Sequence, residues 1–143
     1  MHVFPSTIDE LFALYESRGA RTDCVPGVTE LSHARQTAAA AAEDGDDAAV
    51  VAAFFHDAGR LLNPSGAAGT EAVRGPRHET AGADVLARFF PSAISEPVRL
   101  HVVAKRALCV MEPDYLASLP ATYRKALKEG PGGLMNKASL ERF

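Results

Sequence analysis

The sequence predicts an all-α protein, a single helical bundle of about five to seven helices. Three observations favour this fold class. Apolar residues recur at helical spacing along most of the chain, no stretch shows the alternation of a half-buried strand, and helix start and stop signals separate the apolar segments. A chain of 143 residues is one domain by length, so we expect a single domain over residues 1–143.

Two helices and a loop are predicted for the N-terminal part. Thr7 is a candidate N-cap with Glu10 as its capping-box partner, and Gly19 is expected to close this helix. Residues 21–27 are typical of a loop, since they include a Pro-Gly pair. An alanine-rich helix is then predicted from about residue 28 to residue 43.

The third predicted helix ends in an adjacent His-Asp pair. Residues 44–46, Asp-Gly-Asp, predict a break and a fresh N-cap, and the helix that follows is apolar up to His56 and Asp57. Gly59 is expected to loosen the end of this helix. Residues 62–76 are rich in glycine, alanine and proline, which predicts a mobile loop over a site.

Further helices are predicted in the second half of the chain. One opens at Arg77 or His78 and is stopped by Pro91, and the next begins at Ser92 and contains His101. The remaining predicted elements are shorter: helices near 114–119 and 120–128, a turn at 130–133 and a final helical turn.

Composition and charge exclude several classes of partner. A formal net charge of -3 gives no electrostatic reason to expect nucleic acid or an anionic membrane surface. The two cysteines, Cys24 and Cys109, make neither a disulfide framework nor a metal-ligand pair. The N-terminus lacks a signal-peptide pattern and no apolar run is long enough for a membrane span, so we expect a cytoplasmic protein.

Four of the five histidines lie on, or at the mouth of, separate predicted helices: His33, His56, His78 and His101. Any single helical histidine is more often a core or surface residue than a ligand. Together with Asp57 they favour a metal site, because imidazole is the commonest transition-metal ligand and a carboxylate can bridge two ions. Adjacent helix positions lie about 100° apart, so His56 and Asp57 can share an ion only at the edge of the apolar face.

The segments around these residues resemble the HD-domain superfamily. The resemblance is strongest to its mixed-valent diiron oxygenases, which include the 2-amino-1-hydroxyethylphosphonate oxygenase and, more distantly, myo-inositol oxygenase. It covers about residues 28–135, and only the combination of motifs is specific. The motifs are Glu-Leu-Ser-His-Ala at 30–34, Phe-His-Asp-Ala-Gly at 55–59, His-Glu-Thr-Ala-Gly-Ala at 78–83 and His-Val-Val-Ala-Lys-Arg at 101–106, with further agreement at 115–116 and 132–135.

The resemblance implies a set of metal ligands. His33, His56 and Asp57 would hold one iron, and Asp57 would bridge to a second iron held by His78 and His101. The two ions would be an Fe²⁺/Fe³⁺ pair. The resemblance also implies that Asp57 takes part in catalysis.

Three further residues are implied to contact an anionic substrate. Lys105 stands where the family has the lysine that contacts the phosphonate, and it lies one helical turn after His101 on the same face. Arg60 replaces a histidine of the phosphonate enzyme and is expected either to bind an anionic group or to cap its helix. Tyr123 aligns with a serine that helps to bind the phosphonate.

The chain departs from the family pattern at two points. The family completes its first metal position with an aspartate that would follow Phe143, and Asp114 comes too early to replace it. The family also has a tyrosine and a glutamate that switch between metal and substrate, and the corresponding positions are approximately Asp23 and Pro26. We therefore expect an incomplete first metal position and an altered gate.

Three functions are compatible with these residues. The first is a diiron oxygenase that uses dioxygen to cleave a C–P or C–C bond of a small, anionic, phosphonate-like hydroxylated substrate, with Lys105 as a catalytic-site residue. The second is a metal-dependent phosphohydrolase using a single divalent metal such as Mn or Mg. The third is a non-catalytic metal-binding protein. Each is compatible with a homo-oligomer, and none requires nucleic acid or a membrane.

Overall fold

Helices provide nearly all the regular structure in the residues that the computed structural model describes, which are 4–62, 77–129 and 135–142. The predicted all-α class is confirmed for these residues. The α-helices in chain order are α1 Ile8–Leu14, α2 Glu30–Ala42, α3 Asp47–Phe55, α4 Ala58–Leu62, α5 His78–Leu86, α6 Ser92–Met111, α7 Pro113–Ser118, α8 Ala121–Glu129 and α9 Lys137–Arg142.

The chain divides into two compact units, unit 1 over residues 1–99 and unit 2 over residues 100–143. The boundary lies inside the single helix α6. The one-domain organisation therefore stays a prediction. The loop predicted at 62–76 falls outside the described residues from position 63 onward, and the turn predicted at 130–133 falls wholly outside them.

The first helix begins as predicted, but α1 ends at Leu14, before the expected end at Gly19. The Thr7 hydroxyl accepts a hydrogen bond from the Glu10 backbone N–H at 3.1 Å. The Glu10 carboxylate in turn accepts a bond from the backbone N–H of Ser6 at 2.6 Å, so two helix-start donors are satisfied. After α1 the chain continues through a π-helical turn, Tyr15–Gly19, before it leaves the helix.

A small antiparallel hairpin corrects the prediction of a loop without strands. Strand β1, Asp23–Val25, pairs with β2, Val28–Thr29, and the turn between them holds Gly27 at φ 83°. Two or three residues are too few to show an alternating pattern, so periodicity could not detect these strands. Thr29 then caps α2 by accepting from the Ser32 N–H at 3.1 Å.

Small side chains let α2 and α3 pack closely in unit 1. Ala34 and Ala52 are buried between them. Asp46 caps α3 by accepting from the N–H groups of Ala48 and Ala49, as the Asp-Gly-Asp break predicted. Because α3 ends at Phe55, the His-Asp pair lies at the junction between α3 and α4.

The role predicted for Gly59 was wrong. This glycine does not loosen a helix end but lies buried inside α4. A Cβ built on Gly59 would overlap the backbone carbonyl of His78, so its absence permits the close approach of α5. Gly82 of α5 faces the same crossing, since its own Cβ would lie 3.0 Å from the Gly59 nitrogen.

Helix α5 is shorter than predicted, while α6 begins where expected. Helix α5 starts at His78 with Arg77 as its N-cap, and it ends at Leu86 rather than at the proline at position 91. Residues 87–89 form a turn, so Phe89 and Phe90 pack against the core without being helical. Ser92 starts α6, as predicted.

An aromatic cluster packs in and against the unit 1 core, where Tyr15 and Phe55 are buried and Phe12 is exposed. The ring centroids of Tyr15 and Phe54 lie 5.0 Å apart, those of Phe12 and Phe55 5.1 Å, and those of Phe55 and Phe90 6.0 Å. Buried aromatic and aliphatic side chains of this size dominate the energetics of a core. The junction after Phe55 therefore follows directly on a buried residue of this core.

Unit 2 contains the second half of α6 and the three following helices. The Arg124 guanidinium donates to the backbone carbonyls of Ala117 and Leu119 at 2.9 Å each, which fastens the end of α7 to α8. Cys24 of unit 1 and Cys109 of unit 2 are free thiols. Among the described helices, none has the length and apolar character that crossing a membrane requires.

Candidate metal centre

The Asp57 carboxylate is surrounded by three imidazoles of unit 1. Its Oδ2 lies 3.1 Å from Nε2 of His56 and 3.5 Å from Nε2 of His33. Its Oδ1 lies 3.3 Å from Nε2 of His78. The predicted convergence of these four residues is therefore observed, with each carboxylate oxygen facing a different side.

His33, His56 and Asp57 form a compact group of donor atoms. The Nε2 atoms of the two histidines are 3.1 Å apart, and one ligand atom from each of the three residues lies within 4.8 Å of the others. Two imidazole nitrogens and a carboxylate oxygen at this separation fit a single transition-metal ion. Helix α2 supplies His33, and the α3–α4 junction supplies the other two.

An outer hydrogen bond at His56 and a nearby carboxylate at His78 orient these two imidazoles. Nδ1 of His56 donates to the Ala53 carbonyl at 2.7 Å, which leaves Nε2 as the atom facing Asp57. Nδ1 of His78 lies 3.5 Å from the Glu79 carboxylate, so its Nε2 also faces inward. Such partners commonly fix the tautomer and ring orientation of a metal ligand.

Burial and charge shift the pKa values of the groups around Asp57. Burial alone would lower the pKa of His56, but the hydrogen bond and the negative charge of Asp57 raise it overall. Burial raises the pKa of Glu30 to about 7, with a further increase from Asp57 against the opposing charge of Arg60. Burial, Asp57 and Glu30 together raise the pKa of Tyr15.

Glu30, Glu79 and Tyr15 are site neighbours to which sequence reasoning gave no role. Glu30 precedes His33 by one helical turn, and this spacing could have placed both residues on one face of α2. A glutamate in the first turn of a helix is ordinarily explained by the helix dipole, which hid its burial. Tyr15 gave no signal beyond its place in the first apolar helix.

Arg60 lies beside the carboxylate at the centre of the group. Its Nε is 3.4 Å from Asp57 Oδ1, and its side chain is partly buried. This ion pair places a guanidinium next to the site. Its predicted contact with an anionic substrate stays a prediction.

The remaining predicted site residues lie in unit 2. His101 and Lys105 are partly buried and stand four residues apart on α6, so they share a helix face. Tyr123 belongs to α8, but its side chain is outside the part of the chain that the structure describes. Their roles in binding metal or substrate stay predictions.

The positions that correspond to the family's gate have other roles here. The Asp23 carboxylate accepts a hydrogen bond from the Gly27 N–H at 3.2 Å and so closes the hairpin turn. Pro26 is exposed in the same turn. Asp114, in the first turn of α7, is exposed as well.

Two known enzymes are similar to this chain. A 1-hydroxy-2-(trimethylamino)ethylphosphonate dioxygenase (glycine-betaine-forming) of Leisingera caerulea is 38% identical over 91 residues, which are 64% of this chain and 46% of that enzyme. A hydroxymethylphosphonate dioxygenase of Gimesia maris is 35% identical over 138 residues, which are 95% of this chain and 68% of that enzyme. The chain thus spans about half of the first relative and about two thirds of the second. No protein-family model matches the chain.

Proposed function

This chain belongs to the family of the phosphonate dioxygenases, and on that premise we propose that it is a metal-dependent oxygenase acting on a phosphonate. The observation that carries the proposal is the convergence of His33, His56 and His78 on Asp57 in unit 1. Three imidazoles, which can be neutral near pH 7, around one buried carboxylate are typical of a functional site and not of a surface charge cluster.

The donor set supports iron as the metal. Imidazole and carboxylate suit iron, and they leave positions open for a substrate and dioxygen. The two Asp57 oxygens face different histidines, which supports a bridge between two ions of the HD-domain diiron type. In this proposal His33 and His56 hold one ion, and His78 holds the other. The sequence motif adds His101 as a further ligand of the second ion.

The names of the two relatives narrow the substrate class. Hydroxymethylphosphonate and the trimethylamino compound both carry a hydroxyl on the carbon that is bonded to phosphorus. We propose a substrate with the same grouping. Dioxygen would then oxidise that carbon to a carboxylate, the C–P bond would break, and the phosphorus would leave as phosphate with release of one proton.

The residues of this chain divide the work of such a reaction. Bound iron would supply the activation of dioxygen. The negative charge of Asp57 would offset the positive charge of the bound metal. The hydrogen bond to the Ala53 carbonyl would keep the His56 ring in place. Lys105 and Arg60 are proposed to neutralise the phosphonate, since a doubly charged oxyanion is bound best by charge-assisted hydrogen bonds. Tyr123 is proposed to contact the phosphonate as well.

The test compares oxygenase with hydrolase chemistry. The protein is loaded anaerobically with Fe²⁺ and then given dioxygen and hydroxymethylphosphonate or longer 1-hydroxyphosphonates. Phosphate release matched by dioxygen consumption is the expected result. Phosphate release from phosphate esters with Mn²⁺ or Mg²⁺ and without dioxygen would identify a phosphohydrolase instead. Less than one metal ion per chain after iron-supplemented expression would indicate a non-catalytic protein.

A further inference from the structure

Glu30 is a buried carboxylate that the ligand set does not use. It is the first residue of α2, its backbone N–H donates to the Thr22 carbonyl at 2.7 Å, and its side chain is 2% exposed. Its Oε2 has no hydrogen-bond partner within the described residues. A buried carboxylate oxygen without a donor is costly when the group is charged, and a positive charge nearby would offset this cost.

The charged and titratable groups that interact with Glu30 belong to the candidate metal centre and to the residues around it. Asp57, Arg60, His33 and His56 act on its charge from the site. Tyr15 lies on the core side, with a buried hydroxyl that also has no hydrogen-bond partner within the described residues. Burial raises the pKa of the Cys24 thiol in the hairpin, and the charge of Glu30 raises it further. The Glu30 carboxylate therefore interacts electrostatically with the imidazoles, and Glu30 lies one helical turn before His33 on α2.

The charge of the ligand group leaves a role for this carboxylate. Neutral imidazoles from His33 and His56 contribute no charge, so Asp57 alone offsets an ion bound among them. A divalent ion would keep a net positive charge in a partly buried site, where charge interactions are stronger than in water. A second carboxylate close by would offset the remainder. Glu30, one helical turn before His33, is a buried carboxylate placed to do so, while the buried Glu79 carboxylate lies beside Nδ1 of His78.

We propose that Glu30 is a positioning residue of the metal centre, a buried carboxylate that strengthens cation binding by His33, His56 and Asp57 without coordinating the ion. The proposal rests on the metal centre of the proposed function. Glu30 is not part of the group of donor atoms that lie within 4.8 Å of one another, which distinguishes it from a ligand. Outer groups of this kind typically change metal affinity about 10- to 100-fold.

The test measures Co²⁺ affinity by chelator competition, together with the visible absorption bands of the bound ion. Glu30→Gln keeps the shape of the side chain and removes its charge. We expect about 10- to 100-fold weaker Co²⁺ binding, unchanged band positions and a metal-free melting temperature no lower than that of the parent. Glu30→Asp keeps the charge and should bind Co²⁺ more tightly than Glu30→Gln. Glu43→Gln, at the exposed end of the same helix, is the charge-matched control and should bind as the parent does.

The alternatives give different results. Parent-like affinity in Glu30→Gln would overturn this inference alone. Weaker binding with shifted absorption bands would make Glu30 a ligand and would also overturn it. A parent protein that binds no Co²⁺ would overturn the metal centre of the proposed function, and this inference with it.

Discussion

Asp57 and Glu30 are both buried carboxylates of unit 1, yet their surroundings differ. Asp57 has three imidazoles and the Arg60 guanidinium within 3.5 Å. Glu30 is less exposed, and its Oε2 lacks any hydrogen-bond donor in the described part of the chain. The comparison teaches that burial alone does not identify a metal ligand. Asp57 is identified as a candidate ligand by the imidazole nitrogens that converge on its carboxylate. The other carboxylate is expected to act through its charge.

Replacement of Asp57 should give the largest effect. Asp57→Asn removes the charge shared by the three imidazoles, so we expect metal affinity to fall by more than the roughly 100-fold upper range of an outer partner. Elemental analysis after anaerobic iron loading measures this, with Asp84→Asn, an exposed aspartate of α5, as the control. Full metal content in Asp57→Asn would contradict the role of Asp57 as a ligand, and with it the distinction between Asp57 and Glu30.

Gly59→Ala should disturb the approach of His78 to Asp57. The added methyl group would overlap the His78 carbonyl, so α4 and α5 must separate. We expect a loss of about 3 kcal/mol in the free energy of unfolding, at the upper end for overpacking, and weaker metal binding. Chemical denaturation measures the first. Gly19→Ala is the milder control, because its Cβ would meet the end of the Leu61 side chain at 3.3 Å rather than a backbone carbonyl. Equal stability of the two variants would contradict the tight crossing.

Lys105→Ala should separate substrate binding from metal binding. In the proposed function this ammonium contacts the phosphonate, and a hydrogen bond from a charged group contributes about 1.5–3 kcal/mol. We therefore expect KM for the phosphonate to rise about 10- to 100-fold at unchanged iron content. Lys128→Ala, an exposed lysine of α8, should leave KM unchanged. Loss of iron in Lys105→Ala would show that the lysine supports the metal site instead.

Glu30→Gln should remove part of the pH dependence of stability in the metal-free protein. The pKa of Glu30 rises from 4.5 to about 7 on folding, mainly through burial, so the folded chain keeps a proton that the unfolded chain has released. Stability of the parent should therefore fall as the pH rises through this interval, by at most about 1.4 kcal/mol per pH unit.

The raised pKa of His56 also makes stability fall as the pH rises, and it does so in both the parent and Glu30→Gln. Its pKa is lowered by burial and raised further by Asp57, so its contribution to stability is lost as the pH rises through its folded-state pKa. The difference between the unfolding curves of parent and Glu30→Gln reports the proton on Glu30 together with the part of the His56 pKa shift that the charge of Glu30 causes, and both lower stability as the pH rises. Urea titrations from pH 4.5 to pH 8 would contradict the expectation if the two proteins lost stability in parallel.

The sequence predicted the features that depend on local chemistry. Thr7 and Asp46 are caps as expected, because their short polar side chains reach the first free N–H groups of a helix. The pairing of His56 with Asp57 was also visible, since adjacent metal-capable residues after an apolar turn are unusual. His33 and His78 could be added only by treating the histidines as a set.

The features that depend on tertiary contacts could not be predicted. Gly59 suggested a helix end, but its role comes from a backbone 19 residues away in sequence. Glu30 suggested an ordinary first-turn acid, because nothing local reveals that its side chain is buried. The strands of the hairpin at 23–29 were too short to leave a periodic signal.

The bridge formed by Asp57 is tested most directly by anaerobic titration with iron, followed by electron spin resonance after partial oxidation. The proposal predicts a mixed-valent diiron signal that grows until about two iron ions are bound per chain and is absent from Asp57→Asn. Saturation at one ion per chain, with only the signal of an isolated ferric ion, would contradict it.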